Sequence, residues 1–138
     1  MERITIATGK KKYEICDENN RTLGIISFNP ADFNFYSRVQ NFLQEINGIL
    51  GKIETADENN IGIISKVDKE LKQRLNELFD DKNLSRVVFG EQSCLNRLNG
   101  ETFLERFVAA IMPIIETEMK KEMEKSNNRI SKYVGETD

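Results

Sequence analysis

The chain has 138 residues, a length typical of one compact domain, and 38 % of its residues are apolar while 31 % are charged. Its 20 basic and 23 acidic residues give a net charge of −3, which argues against a basic nucleic-acid-binding module. Because histidine is absent, a Ser–His–Asp triad, a Cys–His dyad and a histidine-based metal site are excluded. The two cysteines, Cys16 and Cys94, lie far apart without a CxxC partner, which excludes a four-ligand zinc site.

The N-terminus lacks the apolar core of a signal peptide. The longest apolar stretch, residues 107–115, contains Pro113 and is far shorter than the ~20 residues that cross a bilayer. We therefore expect a cytoplasmic protein with reduced thiols and no membrane segment.

The first 28 residues have the pattern of strands. Residues 3–8, 13–17 and 22–28 alternate apolar and polar side chains, and turn-forming residues separate them at 9–11 and 18–21. This spacing predicts a three-stranded antiparallel meander over residues 1–28. Three strands alone are marginally stable in water, so we expect helices to cover one face.

A sharp helix start follows the meander. Asn29 is suited to capping the helix, Pro30 to its first position and Asp32 to its first turn. Phe28 and Phe33 have the spacing of a hydrophobic staple. The apolar positions that then predict a long amphipathic helix are Phe33, Tyr36, Val39, Leu43, Ile46, Leu50 and Ile53.

Two more helices are predicted further along. Residues 54–63 are expected to form a loop, after which Ser65 and Asp68 resemble a capping box that opens a helix ending near residue 80. One or two helical turns are expected over residues 91–98. A third long helix is predicted from about Glu101 towards Lys125, with a kink or break at Pro113.

The expected architecture is therefore α+β, with an N-terminal three-stranded antiparallel meander packed against a mostly helical C-terminal part of three main helices. Residues 1–125 form the single domain, divided into the meander (1–28) and the helical part (30–125). Residues 126–138 form a polar C-terminal tail, either weakly ordered or docked on a partner.

The first half of the third helix is apolar on almost every side, which is typical of a core or of an interface. Three strands offer only one face to cover, so part of this surface is expected to bind another chain or a copy. Methionine side chains suit adaptable binding surfaces, and Met119 and Met123 extend this apolar surface. The predicted partner-binding residues are Phe103, Phe107, Ile111, Ile114, Ile115, Met119 and Met123.

Catalytic or ligand-binding chemistry is not indicated. The lysine-rich turn at residues 9–12 lacks the glycines and the Ser or Thr of a phosphate-binding loop, and the acidic pairs do not match a calcium loop. A helix N-terminus could acidify Cys94, but without histidine we favour a packed thiol. We predict a non-enzymatic protein without a catalytic site, metal or cofactor.

Three segments resemble a known family. Residues 23–32 (LGIISFNPAD) lead from a strand into an Asn-Pro-x-Asp helix start, and Val88-Phe89-Gly90 precedes Cys94. The C-terminal helix carries Phe103-Leu104, Phe107 and the MPIIE sequence of residues 112–116. Together they resemble the tail assembly chaperones of long-tailed bacteriophages and prophages of Gram-positive bacteria, over residues 4–125.

The resemblance implies a chaperone that binds the aggregation-prone tape measure protein and keeps it soluble until the tail tube polymerises around it. It also implies, in many phages, a longer version made by translational frameshifting. From the spare apolar surface we expect a homo-oligomer, located in the host cytoplasm. No nucleic acid or membrane is expected as a partner.

Two other functions remain open at this stage. A structural tail or head-completion component would stay in the virion, whereas a chaperone would not. A small phage regulator would bind DNA, against which the acidic balance argues.

Overall fold

A computed structural model describes residues 1–54 and 61–136 of the chain. Over these residues the fold is α+β, as predicted, with two small antiparallel sheets and four helices. The elements in chain order are β1 (Lys11–Cys16), β2 (Thr22–Phe28), α1 (Phe33–Glu54), α2 (Ile61–Phe79), α3 (Leu84–Phe89), β3 (Arg97–Leu98), β4 (Glu101–Thr102) and α4 (Phe103–Glu136).

The N-terminal sheet is a hairpin of β1 and β2. The Asp17 side chain shapes its turn, because Oδ1 accepts hydrogen bonds from the backbone N–H groups of Asn19 (2.8 Å) and Arg21 (3.0 Å). Tyr13 pairs with Ile26, and the register shifts between Ile15 and Cys16. Side chains of one face therefore point at the helices, while those of the other face are solvated.

The prediction of a three-stranded meander is wrong, because the N-terminal sheet has two strands. Residues 3–8 form no strand, and β1 pairs only with β2 in the described part of the chain. Thr8 does not turn back towards β1, because its carbonyl oxygen accepts a hydrogen bond from the Asn29 side-chain amide at 3.0 Å. The alternating pattern correctly marks a segment able to pair, but a strand also needs a neighbour within reach.

The first long helix is present but begins three residues later than Pro30. Asn29 Oδ1 accepts from Ala31 N–H (2.9 Å), and Asp32 Oδ1 accepts from Asn34 N–H (2.9 Å), so the Asp32 side chain caps α1. Val39 and Ile46 of the predicted apolar stripe are buried, but its first member, Phe33, is exposed. Phe28 stacks on Phe35 (5.4 Å between ring centroids) instead of stapling the exposed Phe33. The buried positions of α1 are Phe35, Val39, Phe42 and Ile46.

The middle of the chain differs from prediction at both ends of α2. This helix already contains residues 61–63, and residues 55–60 of the predicted loop lie outside the described residues. Ser65 lies inside α2 rather than at its start. The apolar run that precedes Gly90 is the helix α3, whereas residues 91–96 form turns and lead into β3 in place of the predicted helical turns. The structure therefore has a fourth helix that the sequence does not predict.

The second sheet is a minimal hairpin of β3 and β4. Asn99 and Gly100 connect the strands with φ angles of +54° and +83°, the combination that a two-residue type I′ turn requires. The third predicted helix follows as α4. It continues through Pro113 and ends at Glu136 rather than near Lys125, so residues 126–136 of the predicted tail are helical.

The core lies between the inner face of the hairpin and the helices. Its centre is the Phe79 ring, with centroids 5.1 Å from Phe35, 5.6 Å from Phe28 and 5.9 Å from Phe107. Tilted and edge-on aromatic pairs at such distances add stability beyond the burial of their area. This cluster fixes the hairpin, α1, α2 and the first half of α4 against one another.

Candidate protein-binding site

The position of α4 is set by a reciprocal cap at its N-terminus. Thr102 Oγ1 accepts a hydrogen bond from Glu105 N–H (3.1 Å), and Glu105 Oε1 accepts from Thr102 N–H (3.2 Å) and from its hydroxyl (2.8 Å). The sequence Thr-x-x-Glu at residues 102–105 is the signature of such a capping box. It locates the start of α4 within one residue.

Aromatic contacts orient the first turns of α4. The Phe103 ring meets Phe89 edge-on at 4.8 Å, and Phe107 meets the same ring at 6.3 Å. The Arg106 guanidinium lies over the Phe103 ring at 5.1 Å from its centroid, a cation–π contact. Phe103 is thus held between α3 and Arg106 at the edge of the core, where part of it remains accessible.

A groove of about 1360 Å³, which we call the hairpin groove, runs between the β1–β2 hairpin and α4, with α3 at one end. The groove opens to solvent, and aliphatic and aromatic side chains form much of its walls. It is large enough for a peptide segment, since drug-sized ligand sites have volumes of roughly 300–1,000 Å³. Its apolar wall residues are Tyr13, Ile15, Leu23, Ile26, Phe28, Val87, Val88, Phe89, Leu98, Phe103, Phe107, Ala110, Ile111 and Ile114.

Charges of opposite sign line the two sides of the hairpin groove. The hairpin side carries Glu14, Asp17 and Glu18, whereas the helical side carries Arg86 and Arg106. The segment after α3 adds one charge of each sign, Glu91 and Arg97. An occupant with separated charges would therefore bind in a preferred direction.

An ion pair connects β1 with α4. Lys11 Nζ donates a hydrogen bond to Glu118 Oε2 at 3.1 Å. This hydrogen bond, reinforced by charge attraction, raises the pKa of Lys11 and lowers that of Glu118. The pair lies at the surface, so its contribution to stability is small and decreases with salt.

The structure divides the predicted partner-binding residues into three groups. Phe107 and Ile111 are 7 % and 4 % exposed, and Ile115 is fully buried, so these three belong to the core. Phe103 and Ile114 are half-buried in the wall of the hairpin groove. Met119 is half-buried at the edge of the core, and only Met123, 47 % exposed, is freely accessible.

Beyond Met119 the helix α4 leaves the domain. From residue 120 to residue 132 every side chain is exposed except Ser126, which is half-buried. Residues 120–136 extend about 25 Å at the rise of an α-helix. Met119, Met123 and Ile130 (52 % exposed) follow one another at helical spacing on one side of this part, and we call these three residues the distal stripe.

A half-buried polar cluster links α2 to the loop after α3. Asp68 Oδ1 accepts hydrogen bonds from Cys94 N–H (2.8 Å) and from the Ser93 hydroxyl (3.1 Å). Lys72 Nζ lies 3.2 Å from Asp68 Oδ2 and donates to the carbonyl oxygen of Gln92 at 2.7 Å. The cluster holds the loop in place, and all its polar groups have partners.

The Cys94 thiol is packed rather than activated. Burial, followed by its hydrogen bond to Asp68, raises the pKa of the thiol far above its ordinary value. Burial also tends to raise the pKa of Asp68, but hydrogen bonds from Cys94 and Lys72 outweigh this effect and hold it below the ordinary value. A thiol that stays protonated is a poor nucleophile.

Sequence reasoning missed one wall of the hairpin groove. Tyr13 and Ile15 alternate on β1 and belong to a predicted strand, but the pattern does not show that their face borders a groove. The sequence does not identify Ala110 and Arg106 as groove residues, because a small or a charged side chain among apolar neighbours does not indicate a groove.

Over residues 1–54 and 61–136, no group of three or more Cys, Asp or Glu side chains is arranged to hold a metal ion. In the same part of the chain, every helix is too short or too polar to span a bilayer. No protein-family model matches the chain, and no curated protein or solved structure is detectably similar to it.

Proposed function

We propose that this chain is a non-enzymatic tail assembly chaperone of a phage or prophage, which binds the tape measure protein in the host cytoplasm and keeps it soluble. The three segments that resemble the chaperone family support this proposal by their placement. Residues 23–32, 88–94 and 103–116 are far apart in sequence, yet each contributes residues to the walls of the hairpin groove.

The observation that carries the proposal is the distal stripe. A helix that projects from its domain with Met123 and Ile130 half exposed keeps apolar surface in water without any partner in the described structure. Unbranched, polarizable methionine side chains adapt to apolar partners of varied shape. A long, aggregation-prone client needs such an adaptable surface more than a rigid pocket.

The charged faces of the projecting helix suit a chaperone as well. Glu122 and Lys125 form an ion pair at 3.4 Å, and Glu118 lies 3.7 Å from Lys121. Charges of both signs surround the distal stripe and remain solvated when a client covers it. The complex would then present a polar surface, which opposes aggregation.

The first experiment is co-expression of the full chain with the tape measure protein of its own phage, followed by size exclusion with light scattering. We expect a soluble complex, while the client expressed alone is in the pellet. A client that stays in the pellet beside the wild-type chain overturns the proposal.

Two double variants locate the binding surface. Met123→Asp with Ile130→Asp places charge on the distal stripe and should leave the client in the pellet. Thr117→Asp with Asn128→Asp adds the same number of carboxylates on the opposite side of α4 and should keep the complex soluble. All four positions are exposed, so both proteins should fold. If the stripe variant solubilises the client as well as the wild type, the distal stripe is not the client site.

The two other functions are tested separately. Mass spectrometry of purified particles should find no copies of the chain, because a chaperone leaves before the virion is complete. Copies at the stoichiometry of a tail or head component favour a structural role instead. A mobility shift of DNA that weakens steeply with salt favours a regulator.

A further inference from the structure

One edge of the hairpin has no partner strand. β1 pairs with β2 on one side, and in the described part of the chain no strand lies on its other side. Its inward-facing residues Tyr13 and Ile15 are half-buried in the wall of the hairpin groove, across from Ala110 and Ile114 of α4. The edge therefore combines unpaired backbone groups with an apolar recess beside them, which suits an added strand.

The chain also contains a strand-like segment without a sheet. Residues 1–8, which we call the N-terminal arm, are all exposed, with Ile4 at 90 % and Ile6 at 76 %. The two isoleucines are two residues apart, so in an extended conformation they point to the same side. Apolar side chains at this spacing and exposure favour burial against another surface.

The N-terminal arm is held away from the free edge of its own β1. Thr8 O accepts a hydrogen bond from Asn29 Nδ2, and Asn29 directly follows β2. Gly9 has a φ of +83° and lies so close that a Cβ there would be 2.8 Å from Asn29 Nδ2. The arm thus leaves on the β2 side of the hairpin, opposite the edge that lacks a strand.

We propose that the N-terminal arm of one copy pairs antiparallel with β1 of a second copy and completes a three-stranded sheet between chains. With Ile6 opposite Tyr13 and Ile4 opposite Ile15, both isoleucines enter the hairpin groove of the second copy and face Ile114. The distal stripe takes no part in this pairing, and neither does the client.

Arg3 favours the antiparallel direction of the added strand. In this register Arg3 lies opposite Cys16 with Glu14 and Glu18 as its diagonal neighbours, whereas Glu2 lies opposite Asp17. Parallel pairing with Ile4 beside Tyr13 and Ile6 beside Ile15 would instead place Arg3 beside Lys12. Complementary charge fixes the register of such contacts and disfavours the reverse orientation.

Light scattering of the full chain, without any client, tests the association. We expect a dimer or larger assembly for the wild type. Ile4→Asp with Ile6→Asp should raise the dissociation constant more than about a hundredfold, because two buried isoleucines are replaced by charges. Thr5→Asp with Ala7→Asp adds the same charge to the outward face of the arm, opposite Glu14 and Lys12 respectively. Repulsion at one position and attraction at the other offset each other, so this variant should associate within a few-fold of the wild type. All four positions are exposed, so circular dichroism should show the same fold.

Disulfide cross-linking distinguishes an arm that pairs with β1 of a second copy from an arm that folds back onto β1 of its own chain. Ala7 lies opposite Lys12 in the proposed register, so Ala7→Cys and Lys12→Cys are placed on separate chains of different tagged length, each with Cys16→Ser. Oxidation of the mixture should give a disulfide between the two chain types.

Three results overturn the proposal. The first is a wild type that is monomeric at high concentration. The second is association that survives Ile4→Asp with Ile6→Asp, which would place the interface elsewhere. The third is a mixture of the two cysteine chains that forms no disulfide between them on oxidation.

Discussion

Asp68 on α2 and Cys94, 26 residues later, are joined by a hydrogen bond of 2.8 Å from the Cys94 backbone N–H to the Asp68 carboxylate. Replacing Asp68 by Ala leaves this buried donor and the Lys72 ammonium without their acceptor. We expect Asp68→Ala to lower the free energy of unfolding by about 2–3 kcal/mol. Urea unfolding measures the effect, and Glu70→Ala, an exposed acid on the same helix, should change it by less than about 0.5 kcal/mol.

The same carboxylate makes stability depend on pH. Hydrogen bonds hold the pKa of Asp68 in the folded chain below its ordinary value of 3.8. The stabilisation from the charged form is therefore complete above 3.8 and is lost as the pH falls through the folded-state pKa. We expect the wild type to exceed Asp68→Asn in unfolding free energy at about pH 6. The difference should shrink towards zero in strong acid, and a difference that grows in acid would contradict the assignment.

The two thiols should react at very different rates. Cys16 is exposed, whereas Cys94 is buried and its pKa is raised by burial and by the hydrogen bond to Asp68. A thiol reagent at neutral pH should modify one cysteine per folded chain and the second only on unfolding. Cys16→Ser should abolish the fast reaction, and rapid labelling of that variant would show that the loop after α3 opens readily.

Gly24 of β2 allows the hairpin to approach α3 closely. A Cβ at this position would lie 2.7 Å from Val87 Cγ1, and the branched Val87 side chain has little freedom to move aside. We expect Gly24→Ala to cost about 1–3 kcal/mol in unfolding free energy. In Gly24→Ala with Val87→Ala the clash is removed, so the double variant should lose less than the sum of the single variants.

Phe107 lies in the core part of α4, whereas Met123 lies in its projecting part, so substitutions at the two positions should affect stability differently. Phe107 packs against Phe79 and Phe89 in the core, so Phe107→Ala should lower the free energy of unfolding by about 3–5 kcal/mol. Met123→Ala removes a half-exposed side chain and should change it by less than about 0.5 kcal/mol. Thermal unfolding of both variants checks this, and a large loss with Met123→Ala would mean that the projecting part packs on the domain.

Local signals in the sequence predict the fold class and several helix ends. Asp80, in a left-handed conformation with φ +52°, ends α2 where the polar run 80–83 predicts. Thr102 and Glu105 mark the start of α4, and Asn99-Gly100 marks the small turn before it. Each of these signals acts within a few residues, so no knowledge of the fold is needed.

Features that depend on distant contacts could not be predicted in the same way. Asp68 looks like half of a capping box with Ser65, but its partner is Cys94, which only the fold brings near. Phe33 and Phe35 are equally apolar, and the packing of Phe35 against Phe28 of the hairpin and Phe79 of α2 decides which of them is buried. The hairpin groove lies between β1, β2 and α4, elements that are far apart in the sequence and that only the fold brings together.

The two halves of α4 belong to different thermodynamic units. As far as Met119 the helix is part of the cooperative core and must melt with it. Beyond that point only local interactions stabilise its turns, and short stretches without tertiary contacts are marginal in water. Helical signal should therefore decline gradually on heating before the core unfolds in one step. A client bound to the projecting part would stabilise its helical turns and remove this early decline, which would show where the client binds.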